Sequence, residues 1–403
     1  LKITHIITSI EGGAGKACIN LHKALLAENF DSKILHLYGD AKGQSGIFKV
    51  KSANSFLRRI LRKLGLSKRK EDLVTKQIKA IGGNYQTVSL PYSSYKLHLH
   101  PLVKQADIIH LHWVGDFVDL DSFFAGVPQP IIWTLHDMNP IEGIFHFESD
   151  QLANPKLATI DQNIRQQKKQ LIESRKPHLV VSSLLSKKKV SKKGFNCPIH
   201  AISCVIATEK WFAIPKPEAK KALGLNEDCL TIGFGAQSLT LPFKGYELFC
   251  SALGQLMEEQ QMEIQLLTFG EYESTSVRPV ASKVRHLGKI DDQQQLNTAY
   301  AAMDILVVPS AEESFGQVGV EALLCNTPIV ATATGAMPEY VTFPSSTFEV
   351  NQVDQLKQQL LNTIALVSAE DVSLKNIRTN IINWYAEANP VKKHIELYQT
   401  LTA

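Results

Sequence analysis

Short apolar runs alternate with helix-length amphipathic stretches along the whole chain. In the first half the runs are Ile3 to Ser9, Lys33 to Leu37, Asp107 to Leu111, Gln129 to Leu135 and His178 to Ser182. Helical spacing covers Lys16 to Leu26 and Ile160 to Ser174. A second series follows the Pro- and charge-rich stretch Ile214 to Glu218. Its strands are Thr231 to Gly235, Gln265 to Phe269, Ile305 to Pro309 and Pro328 to Thr332, and its helices are Gly245 to Glu258, Gln293 to Ala302 and Val318 to Leu324. Near-continuous apolar strands separated by helices belong to a parallel sheet, because crossover helices cover both of its faces. The pattern therefore predicts an α/β fold of two doubly wound domains in tandem, with strand ends facing a shared cleft.

Length agrees with that division, since 403 residues exceed what a single hydrophobic core ordinarily supports. No fixed-period repeat or low-complexity tract interrupts the pattern, and the Gln-rich patches around Gln166, Gln293 and Gln355 fall on helical faces. No apolar run reaches the roughly 18 residues of a membrane span. "LKITHIITSI" alternates like a first strand with no cationic leader, which predicts neither a span nor a signal peptide. The first residue, Leu1, is what a processed or trimmed start would leave.

Charge adds an asymmetry. The formal net charge is +4, yet residues 1–200 hold 29 Lys and Arg against 16 Asp and Glu, while residues 201–403 hold 14 against 23. Much of the excess lies in "KSANSFLRRILRKLGLSKRK", residues 51–70, where Phe56, Leu57, Ile60, Leu61 and Leu64 form an apolar stripe beside Arg58, Arg59, Arg62 and Lys63. An interfacial helix on an anionic membrane surface and a helix packed on its own domain both fit this pattern. Nucleic acid is not the expected partner of this segment. "SKKKVSKKG", Ser186 to Gly194, has no apolar periodicity and reads as a solvated loop. The six cysteines have neither metal-ligand nor disulfide spacing, which predicts reduced, largely core-packed thiols in a cytoplasmic protein.

Two stretches carry candidate chemistry. "SIEGGAGKACINLH" contains GGAGK after a strand, but Lys16 is followed by Ala17 where a phosphate loop needs Ser or Thr for magnesium, and Ile10 stands at the loop's first glycine position. Phosphate contact through Gly12 and Gly13 survives that objection; lysine-driven triphosphate chemistry does not. The second stretch is "DILVVPSAEESFGQVGVEALLCNTPIVATATGAMPEYV", Asp304 to Val341. A strand ends, an acidic loop follows, and a helix begins near Phe315 to Val318. Its first amides, those of Gly316, Gln317 and Val318, are helix-start donors of the kind that hold diphosphates. Glu313 precedes that start and Glu321 lies inside the helix. Even on one continuous helix they would sit about 80° apart, so two separate roles are expected.

Glu313 and Glu321 around Phe315-Gly316, followed by Thr327-Pro328-Ile329-Val330-Ala331 and Gly335-x-x-Pro338-Glu339, resemble the donor site of the retaining glycosyltransferases of family group 4, which have the two-domain GT-B fold. "RHLGKIDDQQQLNTAYAAMDILVVPS" extends the likeness upstream. "IEGGAGKACINLHKAL", "DIIHLHW" and "TLHDMNPIEG" resemble the branch that assembles exopolysaccharide of the colanic-acid type. The resemblance implies an acceptor-binding domain over residues 1–195, a nucleotide-sugar-binding domain over 196–380, and a C-terminal helix in 381–403 that returns to the first domain. It also implies that Glu321 binds the ribose hydroxyls, that Glu313 holds hydroxyls of the donor sugar, and that the amides of Gly316, Gln317 and Val318 meet sugar and phosphates. Lys244, in "LPFKGYELF", would neutralise the leaving diphosphate, with Lys289 as a candidate second cation. Gly12 and Gly13 would form the glycine turn that lets backbone approach the diphosphate. His136 would contact the transferred sugar, with His112 as a second candidate and Asp137 orienting the acceptor. Trp113 reads either as a ring for a sugar to stack on or as a core edge.

The resemblance further implies a UDP- or GDP-linked sugar as donor, a saccharide or lipid-linked saccharide as acceptor, retention of configuration, and no required metal or other cofactor. The chain departs from the family at two places: "FGAQSLT" has Ala236 where an Arg partner to the lysine is usual, and "SCVIATEKW" has Ala207 in the hinge element. Three other readings remain: a sugar-nucleotide epimerase of the same fold, for which no base is evident, a weakened nucleotide-sugar binder, and a nicotinamide dehydrogenase. "GGAGKA" does not have the glycine spacing the dehydrogenase needs. "DLD", Asp119 to Asp121, matches a manganese motif of another glycosyltransferase fold, but in the wrong context.

Overall fold

The computed structural model describes residues 1–41, 43–51, 60, 64, 69–272 and 283–403. The chain forms two units: Leu1–Val205 together with Pro390–Ala403, and Ile206–Asn389.

The first unit is built on the parallel strands β1 Lys2–Ser9, β2 Asp31–Tyr38, β3 Ile47–Lys49, β4 Ile108–Leu111, β5 Ile131–Thr134, β6 His178–Val181 and β7 Ile199–Ala201. They lie in the order β3-β2-β1-β4-β5-β6-β7. Strand order reverses between β1 and β4, and loops that leave the carboxyl ends of a switch pair diverge and leave a crevice. Side chains alternate across the sheet. Ile6, Ile109, Leu111 and Trp133 pack into the core on one face, while Ile3, Ile108, Ile132 and Val180 pack on the other under helices Gly12–Ala27 and Pro390–Thr402. That last helix contributes Leu397 and Tyr398, 7% and 0% exposed. Each stabilises the unit by roughly 1.5–3 kcal/mol through burial.

The second unit repeats the plan with β8 Leu230–Ser238, β9 Ile264–Glu271, β10 Lys283–His286, β11 Ile305–Val308, β12 Ile329–Thr332 and β13 Ser346–Phe348, in the order β10-β9-β8-β11-β12-β13. Its switch point lies between β8 and β11. All four residues of β11 are buried, as expected for a central parallel strand.

Several sequence expectations need correction. The first domain does not stop at residue 195, because β7 continues its sheet by pairing with β6, and the division falls at Val205. Residues 381–388 belong to the second unit as part of helix Ile377–Ala388; only the segment from Pro390 joins the first. Helix Gly12–Ala27 begins four residues before the expected Lys16, so Gly12 and Gly13 lie at its start, with Gly12 at φ 72°. Ser186 lies in helix Leu184–Ser191, capped by the Ser183 hydroxyl, which accepts from the Ser186 amide at 3.0 Å. Most of the basic segment 51–70, including Phe56 to Arg59, lies outside the described residues. Among the described residues, no helix is long and apolar enough to cross a membrane, and the six cysteines are free.

Candidate functional site

In the second unit, the candidate residues gather at the β8/β11 switch point. β8 ends at Ser238 and the chain turns through Pro242–Lys244; β11 ends at Val308 and leads into the loop holding Ser310 and Glu313. The Ala311 amide donates to the Phe243 carbonyl at 2.7 Å, latching the two loops together. The latch brings together Lys244 and Glu313, which form an ion pair between Nζ and Oε1. The Ser310 hydroxyl donates to the same oxygen at 3.3 Å. Both partners of the pair keep some solvent access, 20% and 16% of the side chain, so a ligand can reach them.

Helix Gln317–Leu324 starts directly after this loop, and Gly316 is its N-cap with φ 82°. A side chain there would be strained, and a Cβ would come within 2.7 Å of the Tyr340 hydroxyl, which itself donates to the Gly316 carbonyl at 2.8 Å. The Gly316 carbonyl accepts from the amides of Gly319 at 3.0 Å and Val320 at 3.4 Å. The first turn of a helix offers its amides outward. Glu321 lies one turn further in, 5% exposed, and Oε2 accepts from the Tyr300 hydroxyl at 2.7 Å. Burial, then the nearby Glu321 charge, raises the Tyr300 pKa well above the usual phenol value, which keeps it a donor. Sequence reasoning missed Tyr300 because it sits 21 residues from its partner on a helix that reads as ordinary core. Lys289 stands apart from this group. It is exposed just beyond β10 and lies 3.7 Å from Glu271. Ala236 is buried in β8.

In the first unit, β1 leads to Gly12, whose φ of 72° turns the chain into its helix. The residue that sterics constrain most is Gly15: a Cβ there would lie 2.2 Å from the Ile10 carbonyl carbon, so only glycine lets the helix sit against the end of the strand. Lys16 is exposed.

Alternation places Ile3 and His5 of β1, Ile108, His110 and His112 at β4, and Ile132, Thr134 and His136 at β5 on one face. A polar band thus crosses an apolar surface. His112 Nδ1 shares a hydrogen bond with His136 Nε2 at 3.0 Å, and His112 Nε2 another with His5 Nδ1 at 3.0 Å. His110 is held separately by the Tyr398 hydroxyl at 2.8 Å and Thr134 at 2.7 Å. Desolvation lowers the pKa of His5, His110 and His112 well below the usual value and that of His136 to about 4, so all four are neutral near pH 7. His5, His110 and His112 come within metal-ligand reach of one another, with nitrogens inside 4.8 Å. Of these rings, His110 and His112 stack, with centroids 4.3 Å apart at 24°, and both nitrogens of each are already engaged in hydrogen bonds.

His136 also lines a cavity of about 20 Å³, room for one water, with Trp113, Asp137, His146 and Lys168. Asp137 Oδ2 accepts from Trp113 Nε1 at 2.8 Å and His146 Nδ1 at 2.7 Å, and Oδ1 accepts from the Asn139 amide at 2.9 Å. Burial alone would raise its pKa, but His146 and these donors bring it below the ordinary carboxylate value. Three protein donors already hold Asp137, so it anchors the cavity wall, and Trp113 is part of that wall. Lys168 Nζ donates to the Asn139 and Gly143 carbonyls, both at 2.7 Å, and burial lowers its pKa to about 7. Asp119 of "DLD" is a helix cap, accepting from the Ser122 amide at 3.1 Å.

Residues 230–365 match the family described as Glycosyl transferases group 1. Among curated relatives, the D-inositol 3-phosphate glycosyltransferase of Segniliparus rotundus is 31% identical over 133 residues, covering 30% of this chain and 29% of the relative. A GDP-mannose-dependent monoacylated alpha-(1-6)-phosphatidylinositol monomannoside mannosyltransferase of Corynebacterium glutamicum is 29% identical over 161 residues, 37% and 42% of the respective lengths. These matches span well under half of the relatives' own length. The likeness to solved structures runs through the whole chain. Sucrose-phosphate synthase from Thermosynechococcus elongatus has a TM-score of 0.69 at 16% identity, covering 100% of this chain and 99% of that one. Anabaena HepE in complex with UDP-glucose has a TM-score of 0.67 at 15% identity, covering 99% of each chain. The chain therefore has the GT-B fold, two Rossmann-like units each built on a parallel sheet, and residues 230–365 of its second unit are similar to the glycosyl transferases group 1 family.

Proposed function

We propose that the protein is a retaining glycosyltransferase that moves a hexose-type sugar from a nucleoside-diphosphate sugar to a saccharide or lipid-linked saccharide. The observation that carries the reading is the Lys244–Glu313 pair at the β8/β11 switch point, directly before the glycine-capped helix that bears Glu321. A cation for the diphosphate, amides at a helix start and a buried carboxylate for a ribose diol are together what a nucleotide sugar requires. In the reaction, the bond from the anomeric carbon to the diphosphate oxygen breaks with both electrons leaving on the diphosphate. The acceptor oxygen bonds to the same face of that carbon, and its proton passes to the departing phosphate oxygen. Lys244 and the helix-start amides of Gly316, Gln317 and Val318 stabilise the leaving charge, with Gly12 and Gly13 supplying backbone and His136 a sugar contact. Because protein groups meet that charge, no divalent metal is required.

One relative is GDP-mannose-dependent and one structural neighbour is a complex with UDP-glucose, so the proposed donor is UDP- or GDP-linked. A role in surface-glycan synthesis on the cytoplasmic side of the membrane, with residues 51–70 on the anionic surface, belongs to the same proposal. The test is a panel including UDP-glucose and GDP-mannose, scored for hydrolysis and transfer in excess chelator, with the product anomer read by proton NMR. Turnover of one donor with its configuration kept is expected. Binding without cleavage of any donor would instead support a nucleotide-sugar binder, and an inverted anomer would overturn retention.

A further inference from the structure

We infer that His112 is a positioning residue which, with His5 behind it, fixes the proton of His136 on Nδ1, so that His136 meets its ligand as a hydrogen-bond donor and not as a base. The inference rests on the proposed role of His136 at the transferred sugar.

The three imidazoles form a wire. Its links are His5 Nδ1 to His112 Nε2 and His112 Nδ1 to His136 Nε2, each 3.0 Å. A neutral imidazole has one N–H and one bare nitrogen, so the protons along the wire all point the same way. In the inward order, His136 donates to His112, His112 donates to His5, and the His5 Nε2–H is left over. That atom is buried and has no hydrogen-bond partner among the described residues. In the outward order, His5 donates to His112 and His112 donates to His136 Nε2. His136 then carries its proton on Nδ1, which takes no hydrogen bond among the described residues, and the leftover at the buried end is a bare nitrogen.

Two effects favour the outward order. Orphaned buried N–H groups are rarer than under-satisfied acceptors, because a stranded donor forfeits a stronger hydration. The wire also has a dipole, positive at the end where the protons emerge. Asp137 adjoins His136 and is held ionised by Trp113, His146 and the Asn139 amide, so its charge attracts that positive end. Opposing both is the slight preference of free histidine for Nε2–H at each ring. It is a weak term beside a buried orphan donor and an adjacent buried carboxylate. With Nδ1 protonated and Nε2 occupied by His112, His136 has no lone pair to accept a proton from an acceptor hydroxyl. It can donate to a sugar oxygen, which fits a reaction in which the leaving phosphate takes the proton.

Long-range proton–nitrogen NMR of the ¹⁵N-histidine-labelled full chain reads the tautomer directly, without any substrate. The expected result is Nδ1–H at His136 and at His112; Nε2–H at His136 in the wild type overturns the inference, whatever the enzyme proves to transfer. In His112→Phe, which removes both links, His136 should revert to Nε2–H, and a tautomer that does not change would show that His112 does not set it. Once a donor is known, His112→Phe should lower kcat by about 10- to 100-fold, as loss of a histidine's orienting partner does elsewhere, with nucleotide affinity unchanged. Loss of nucleotide affinity instead of turnover would mark the effect as structural and count against positioning. Should His112→Phe fail to fold, the wild-type spectrum alone still decides.

Discussion

Lys244 has two claimants. In the free structure its ammonium is paired with Glu313, yet the proposed chemistry asks it to meet a diphosphate. The position at which the family resemblance expects an arginine partner holds Ala236, buried in β8. Glu313→Gln should therefore tighten binding of the nucleoside diphosphate, because Lys244 is released from its carboxylate, while turnover falls through loss of the sugar contact. Lys244→Ala should cost about 10²–10³ in rate, the usual effect of removing a preorganised donor to developing charge, and Glu321→Gln should weaken nucleotide binding. Calorimetry with the diphosphate alongside steady-state rates separates the three. Weaker diphosphate binding in Glu313→Gln would show that the pair is not in competition with phosphate.

At the scale of elements, the start of helix Gly12–Ala27 is the tightest junction. Gly15→Ala should destabilise the first unit by about 1–3 kcal/mol, since its Cβ would overlap the Ile10 carbonyl and force the helix off the strand. Denaturant unfolding of the variant would show it, and an unchanged midpoint would mean that the junction yields freely. Central strands such as β11 were legible because all-apolar runs can only be buried on both faces. The edge strands β3, β7, β10 and β13 were not: each has three or four residues, and the burial of β10, exposed at three positions of four, produces no pattern to read. The expected boundary at residue 195 erred for that reason, as β7 gives no signal of its own. Within the candidate site, Glu313, Glu321 and Lys244 were each singled out from local motif, whereas the Lys244–Glu313 pair spans 69 positions and is brought together by the latch between two loops. His5 was invisible in "LKITHIITSI" because one histidine in an alternating strand carries no hint of the register that sets it against β4.

For the whole molecule, the buried histidines set the response to acid. The folded pKa values of His136 and His394 lie at about 4, and those of His5, His110 and His112 are also lowered, against 6.5 when unfolded. Between pH 6.5 and 4 the unfolded chain binds protons that the folded unit refuses, so stability is fully present above 6.5 and is lost as pH falls. The slope is about 1.4 kcal/mol per pH unit for each histidine. Lys168 continues the trend at higher pH: its folded value of about 7 against 10.5 makes stability rise with pH through that window. Unfolding midpoints across pH 4 to 10 should therefore climb steeply in acid and more gently above neutrality, and a flat profile below 6.5 would mean that the cluster admits protons when folded.

The chain leaves the first unit at Val205 and re-enters it at Pro390. During synthesis, the sheet of seven strands is complete long before the helix that covers His110 and Ile3 exists. The second unit is continuous in sequence and can close as soon as Asn389 has emerged. The amino-terminal half must then wait, with the part of that face not shielded by helix Gly12–Ala27 open to water around His110, until Leu397 and Tyr398 leave the ribosome. The first part made is the last to finish, and any factor that guards nascent chains would find its longest-lived target on that uncovered face.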